Sequence, residues 1–227
     1  MKKIKFLDIS FENEINPWEV EAFRGAVVAT AGRDHILFHN HKKEGFRYSY
    51  PLIQYKRIGK KPHIICIDEG VDEVHYFFEN KQEGLMLGNR HYNLVVENIN
   101  LNKFNLQVWD RSFNYVIYDW FPLNQKNFNE FKTIVSEIQQ FEFLEKILIG
   151  NILSFAKGIG WNIDKQIELK ITEILRTNII SLKGTKRGAY TLNFKCNVFL
   201  PNYIGLGKNA SLGFGWVREN RRNKSEM

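Results

Sequence analysis

Apolar and polar positions alternate over residues 3–11, where Ile4, Phe6 and Ile9 interleave with charged side chains, and the period of two predicts an opening strand. Asn16-Pro17 then supplies a helix start, with Asn16 as the cap and Pro17 at the first helical position. Trp18, Val20, Phe23, Val27 and Val28 follow at helical spacing, and Gly32 is a natural stop. Residues 33–47 are polar, basic and rich in histidine, a poor candidate for regular core structure. Residues 50–56 and 62–67 read as paired strands joined by the turn Gly59-Lys60-Lys61. A helix is predicted over 71–80 and a strand over 92–99. The resulting order, strand, helix, strand, strand, helix, strand, is that of a ferredoxin-like unit.

A second unit begins near Leu101. Residues 105–110 and 114–120 are strand-like, and Phe121-Pro122 breaks into a helical region over 127–140 and 141–156. In the latter, Phe143, Leu144, Ile147, Leu148 and Ile152 carry the helical period. Residues 167–174, 178–182 and 189–200 read as strands. The expected domains are therefore 1–100 and 101–217, followed by a charged, disordered tail over 218–227.

The chain has 227 residues, 44% hydrophobic and 25% charged, which is enough for a real core in one large or two small domains. A net charge of +7 favours a polyanionic partner. Cys66 and Cys196 each sit in an apolar run and are expected to be buried thiols. No signal peptide is evident, and no window approaches the roughly 18 apolar residues of a membrane span. A cytoplasmic location is expected.

The stretch with the most distinctive chemistry runs from Gly205 to Gly215, with Gly205, Gly207, Gly213 and Gly215 arranged as two Gly-hydrophobic-Gly triplets around Lys208 and Asn209. A dinucleotide fingerprint would open a helix, yet only Trp216, Val217 and a charged tail follow. A P-loop needs Ser or Thr after Gly-Lys, and Asn209 stands there. What remains is a loop leading into a short last strand, with amides and Lys208 facing outward as an anion-binding concavity suited to a phosphodiester. The loop resembles the C-terminal glycine-rich loop of RAMP proteins, the RNA-binding family of CRISPR systems. Phe23-Arg24-Gly25-Ala26 resembles the Arg-Gly segment of the first helix of that family. Element order and this resemblance together imply an α+β fold of two tandem ferredoxin-like (RRM-like) domains with a C-terminal glycine-rich loop.

His35, His39 and His41 fall within seven residues, in the string Leu37-Phe38-His39-Asn40-His41-Lys42-Lys43 with Arg47, Tyr48 and Tyr50 close behind. Histidine exchanges protons near neutral pH, and imidazoles at i and i+2 share a face in extended backbone. Neighbouring lysines can hold phosphate and stabilise charge developing on it. Such a cluster can also be plain surface. The literal His39-Asn40-His41 is not an HNH metal nuclease, whose ligands are dispersed along a strand-strand-helix motif. No cysteine framework adjoins the string, and no metal or other cofactor is expected.

Phe38-His39-Asn40-His41 with 50–56 resembles the N-terminal region of one branch of the CRISPR repeat endoribonucleases, in which a histidine pair serves cleavage. The resemblance implies catalytic roles for His39 and His41, with His41 foremost. Tyr48 and Lys42 follow, for activation or charge stabilisation. It implies a metal-independent endoribonuclease that cuts CRISPR repeat RNA in precursor transcripts to give guide RNAs. Attack by the 2′-OH would leave a 2′,3′-cyclic phosphate and a 5′-OH. RNA would be held by the glycine loop and by Lys183, Lys186 and Arg187 of a basic hairpin, together with Lys56 on the strand over 50–56. A homodimer and association with an effector complex are further expectations, and no membrane is. The alternatives are a non-catalytic RAMP subunit coating guide RNA in an effector complex, and a basic ferredoxin-like module binding other RNA or a protein.

Overall fold

The first strand of the computed structural model, β1 (Lys2–Phe11), is bonded on both sides, which makes it the centre of the N-terminal sheet. The structure describes residues 1–39, 50–80, 84–182 and 184–220, and within 40–49 only the backbone of two short strands. After β1 a 3-10 turn over Pro17–Glu19 leads into α1 (Val20–Ala31), then α2 (Ile36–His39), β2 (His41–Lys42) and β3 (Gly45–Phe46). There follow β4 (Ile53–Ile58), β5 (Lys61–Ile67), α3 (Glu69–Glu73), α4 (His75–Glu79), β6 (Leu85–Leu87), β7 (Arg90–Tyr92) and β8 (Val96–Leu106). The C-terminal half consists of β9 (Val108–Trp120), α5 (Gln125–Thr133), α6 (Glu137–Gly158), β10 (Leu169–Leu182), β11 (Thr185–Val198) and β12 (Trp216–Glu219).

The two main sheets have the orders β4-β5-β1-β8 and β10-β11-β9-β12, with antiparallel neighbours throughout. In both, the third strand of the unit separates the second from the first, and the fourth closes on the first. This is the tandem ferredoxin-like fold. The halves differ in their second crossover. In the N-terminal unit α3 and α4 connect β5 to the last strand, whereas in the C-terminal unit the glycine-rich loop does so, with one 3-10 turn over Ala210–Leu212.

Local chemistry explains the elements. Glu19 folds back to accept from the Asn16 backbone amide at 2.7 Å, fixing the entry to α1. Gly32 ends that helix at φ 101°. Val20, Phe23, Val27 and Ala31 form its buried stripe, and Phe23 meets Phe11 and Tyr55 edge-on at 5.8 and 6.1 Å. Gly59 and Lys60, both at positive φ, make the tight turn between β4 and β5. On α6, Leu144, Leu148, Ile152 and Phe155 are fully buried, each contributing roughly 1.5–3 kcal/mol of apolar burial.

Some boundaries differ from expectation. Residues 101–106 belong to β8 and pair with β1, so the first unit runs past residue 100. The edge position of β8 explains this: Ile99 and Leu101 are 59% and 58% exposed, and the strand lacks a clean apolar face. The helix over 71–80 is broken at Val74 into α3 and α4, and the hairpin β6–β7 precedes the strand expected from Tyr92. Arg218 and Glu219 extend the last strand by pairing with Val116 and Tyr115. Residues 221–227 lie outside the described residues.

The two units meet where Tyr50 packs on α6, its ring 5.1 Å from Phe155. A Cβ on Gly158 would stand 2.3 Å from Tyr50 Cβ, whereas one on Gly150 of the same helix would meet nothing within 4 Å. Gly158→Ala should therefore destabilise the protein by about 1–3 kcal/mol through overpacking. Gly150→Ala should stabilise it by about 0.5–1 kcal/mol through helix propensity. Denaturant unfolding of the two variants checks this opposition of sign.

Candidate active site and nucleic-acid interface

The histidine segment leaves α1 at Gly32 and is fastened to the N-terminal unit from His35 to His39. His35 stacks on Tyr76 of α4, with ring centroids 3.8 Å apart. Leu37 and Phe38 are buried, and Tyr55 Oη donates to the Phe38 carbonyl at 3.0 Å. Arg24 Nη2 donates to the His39 carbonyl at 2.6 Å, which gives the Arg-Gly segment of α1 a definite task. His39 Nε2 donates to the Arg33 carbonyl at 2.8 Å, so a proton is held on that nitrogen. The expectation that His39 and His41 share one extended stretch is not met. His39 closes a helical turn, and His41 opens β2 by pairing with Phe46. The side chains of His41 and Lys42, and the whole of Tyr48, lie outside the described residues. His63 and His75 are engaged elsewhere, with Asp8 Oδ1 at 2.7 Å and the Asp72 carbonyl at 2.6 Å.

The glycine loop is wedged between the units, a correction to its expected role as an open cradle. A Cβ on Gly215 (φ 61°) would meet Leu206 O at 2.1 Å. One on Gly207 (φ 82°) would meet Asn151 Oδ1 at 2.6 Å, the atom that accepts from Trp120 Nε1 at 2.8 Å. One on Gly205 would press on Ala210, Gln54 and Lys56 at 2.9–3.0 Å. These glycines are required by packing against protein. Several loop amides are likewise taken: Gly205 donates to Gln54 Oε1 at 2.9 Å, Leu206 to Gly215 O at 2.7 Å, and Gly215 to Tyr118 O at 2.9 Å. The outer turn is different. Lys208 is exposed, Asn209 adopts φ 59°, and the amides of Gly207, Lys208 and Asn209 make no hydrogen bond to another described residue.

Lys56 is a second correction. Expected among the RNA-facing cations, it is fully buried, with Nζ donating to Ala210 O at 3.2 Å. The cause is the position of β4. Its Ile53 and Tyr55 face the helices, and its Gln54 and Lys56 face the loop, so both sides of this edge strand are covered. Burial pulls the ammonium down to about 7 from 10.5. The same burial raises the Tyr50 and Tyr55 hydroxyls far above their ordinary range, leaving both neutral.

Cations do gather outside. Lys186 is exposed on β11. Arg187 is partly buried, and its Nε has no hydrogen-bond partner among the described residues. Partial desolvation and the charge of Arg187 lower the proton affinity of Lys208. Strand β11 and the loop thus bring two cations together with no ion-paired carboxylate among the described residues, an arrangement that attracts an anion. Lys183, at the tip of the hairpin, lies outside the described residues. Tyr50 and Gln54, which sequence patterning did not single out, tie the two regions together. Tyr50 Oη donates to Gly205 O at 2.7 Å and accepts from Gln54 Nε2 at 2.8 Å.

The chain matches two family models: the Cas6b N-terminal domain over residues 2–105 and the Cas6b C-terminal domain over 107–220. A crystal structure of Cas6b superposes with a TM-score of 0.88 at 30% identity, covering 96% of this chain and 100% of that one. A second, described as CRISPR RNA processing endoribonuclease Cas6b, superposes with a TM-score of 0.74 at 28% identity and the same coverage. The uncharacterised protein MJ0978 of Methanocaldococcus jannaschii is 37% identical over 101 residues, 44% of this chain and 67% of that protein.

Lys56 has a folded pKa below its unfolded value, so between about 7 and 10.5 the unfolded chain binds the extra proton and stability rises with pH. Below about 7 the group is charged in both states and contributes no slope. Lys56→Met should remove this term. The stability difference between wild type and variant should stay flat below pH 7 and grow in favour of wild type towards pH 10, as urea unfolding at a series of pH values would show.

Proposed function

The chain belongs to the Cas6b family, and on that premise we propose that it is an endoribonuclease that cuts CRISPR repeat RNA in precursor transcripts, without a metal ion. The observation that carries this reading is the junction between the two regions. Tyr50, which closes the histidine segment, is hydrogen-bonded to Gly205, which opens the loop bearing Lys208. An RNA strand held by Lys208 and Arg187 therefore passes close to the exit of the histidine segment. Among the described residues no helix is long and apolar enough to cross a membrane, and we place the reaction in the cytoplasm.

RNA carries its own nucleophile beside the scissile phosphorus, which supplies much of the proximity that hydrolysis by water would lack. A general base takes the 2′-OH proton, and the 2′-oxygen attacks phosphorus. The P–O5′ bond breaks, and a general acid delivers a proton to the departing O5′. The products are a 2′,3′-cyclic phosphate and a 5′-hydroxyl. His41 and His39 are the acid–base pair in this reading. Lys42 and Tyr48 stabilise charge or assist activation, and Lys183, Lys186, Arg187 and Lys208 hold the phosphate backbone.

His41→Ala and His39→Ala should each lower the single-turnover rate by about 10²-fold, with repeat-RNA affinity little changed. A single 2′-deoxy substitution at the cut site should abolish cleavage, and excess chelator should not alter the rate. Wild-type cutting by both histidine variants would overturn the catalytic assignment. Collapse in EDTA with recovery on adding a divalent ion would overturn the metal-free mechanism. Lys208→Ala should weaken binding and flatten the dependence of log K on log salt by about 0.7, the loss of one single-strand phosphate contact. An unchanged salt slope would remove Lys208 from the interface.

A further inference from the structure

Three polar side chains of the N-terminal unit are turned onto the glycine loop and take no part in the chemistry above. Tyr50 Oη reaches Gly205 O, Gln54 Oε1 receives the Gly205 amide, and Lys56 Nζ reaches Ala210 O. All three residues are buried. Apolar side chains could cover the loop without the desolvation cost of an amide and an ammonium. What hydrogen bonds add over apolar packing is direction: each is satisfied only when the loop sits in one position along β4. From the opposite face of that strand Tyr55 binds the carbonyl of Phe38, one residue before His39. One strand thus grips the loop on one side and the entry of the histidine segment on the other, while Tyr50 binds its exit to the same loop.

We propose that β4 and Tyr50 form an interlock that fixes the histidine segment against the glycine loop, making Tyr50, Gln54 and Lys56 positioning residues for RNA cleavage. The inference rests on the catalytic reading of His39 and His41. The loop seats the RNA backbone, and the interlock sets where the histidine segment stands relative to it. In-line attack is sensitive to such placement, since a misplacement of about 1 Å can cost about 10²-fold in rate.

Tyr50→Phe tests this directly. It keeps the ring on Phe155 and Gly158 and deletes only the oxygen shared by Gly205 and Gln54. Lys56→Met cuts the second tie, independently of the first. The single-turnover rate at saturating repeat RNA should fall about 10-fold or more in each, with Kd within about two-fold of wild type and a cooperative melt retained. The double variant should be little slower than the slower single one, because both ties act on one geometry. Were Lys56→Met not to fold, Tyr50→Phe, which retains every apolar contact, decides alone. Rate and affinity lost in equal proportion would overturn the interlock, because the loop would then be merely misfolded. Wild-type rates in Tyr50→Phe and Lys56→Met beside a slow His41→Ala would overturn it while leaving the histidine reading in place. Wild-type rates in His39→Ala and His41→Ala would overturn that reading and the interlock with it.

Discussion

The packing of the glycine loop into the seam between the two units is the constraint on which the rest of the structure depends. Gly205 exchanges hydrogen bonds with Tyr50 and Gln54 of one unit, and Gly207 leaves room for the Trp120–Asn151 bond of the other. Gly215 lies against the carbonyl of Leu206 at a distance no side chain would permit. The loop is therefore joined to both units at once. Its small residues bring backbone within hydrogen-bonding reach of buried polar side chains, which a bulkier segment could not do.

The loop occupies the place of a helix. In the N-terminal unit α3 and α4 make the second crossover, and their apolar side chains help to close the core. In the C-terminal unit the corresponding connection contributes Ile204, Leu206, Ala210 and Leu212 inward and turns Gly207–Asn209 outward. A helix would satisfy most of its amides internally. The loop leaves those of Gly207, Lys208 and Asn209 without a partner among the described residues and places a lysine among them. Packing and anion attraction are thus divided between two sides of one segment.

Electrostatics separates the cations in the same way. Lys56 reaches the loop at Ala210 O and Lys208 belongs to it, yet burial brings Lys56 down to about 7 and removes it from solvent. Lys208 stays exposed and is affected by the charge of Arg187. A net charge of +7 says nothing of this division. A cation serves RNA only where water can be replaced by phosphate, and the fold decides which lysines meet that condition.

Periodicity in the chain determined the two runs of strands and helices, the buried stripes of α1 and α6, and the turn at Gly59-Lys60, because each depends on neighbours close in sequence. The doubled Gly-hydrophobic-Gly pattern likewise marked a backbone with special conformational needs. Whether those needs came from RNA or from protein was beyond its reach, since a sequence does not say what approaches a glycine. Gln54 and Lys56 show the same limit. A period of two assigns them to the face opposite Ile53 and Tyr55, and only the docking of the second unit decides that this face is buried. The end of the first unit at Leu106 rather than Asn100 was hidden because β8 is an edge strand with both faces largely exposed. The link from Tyr50 to Gly205 spans 155 residues, and no local pattern encodes a contact made by the packing of one unit on the other.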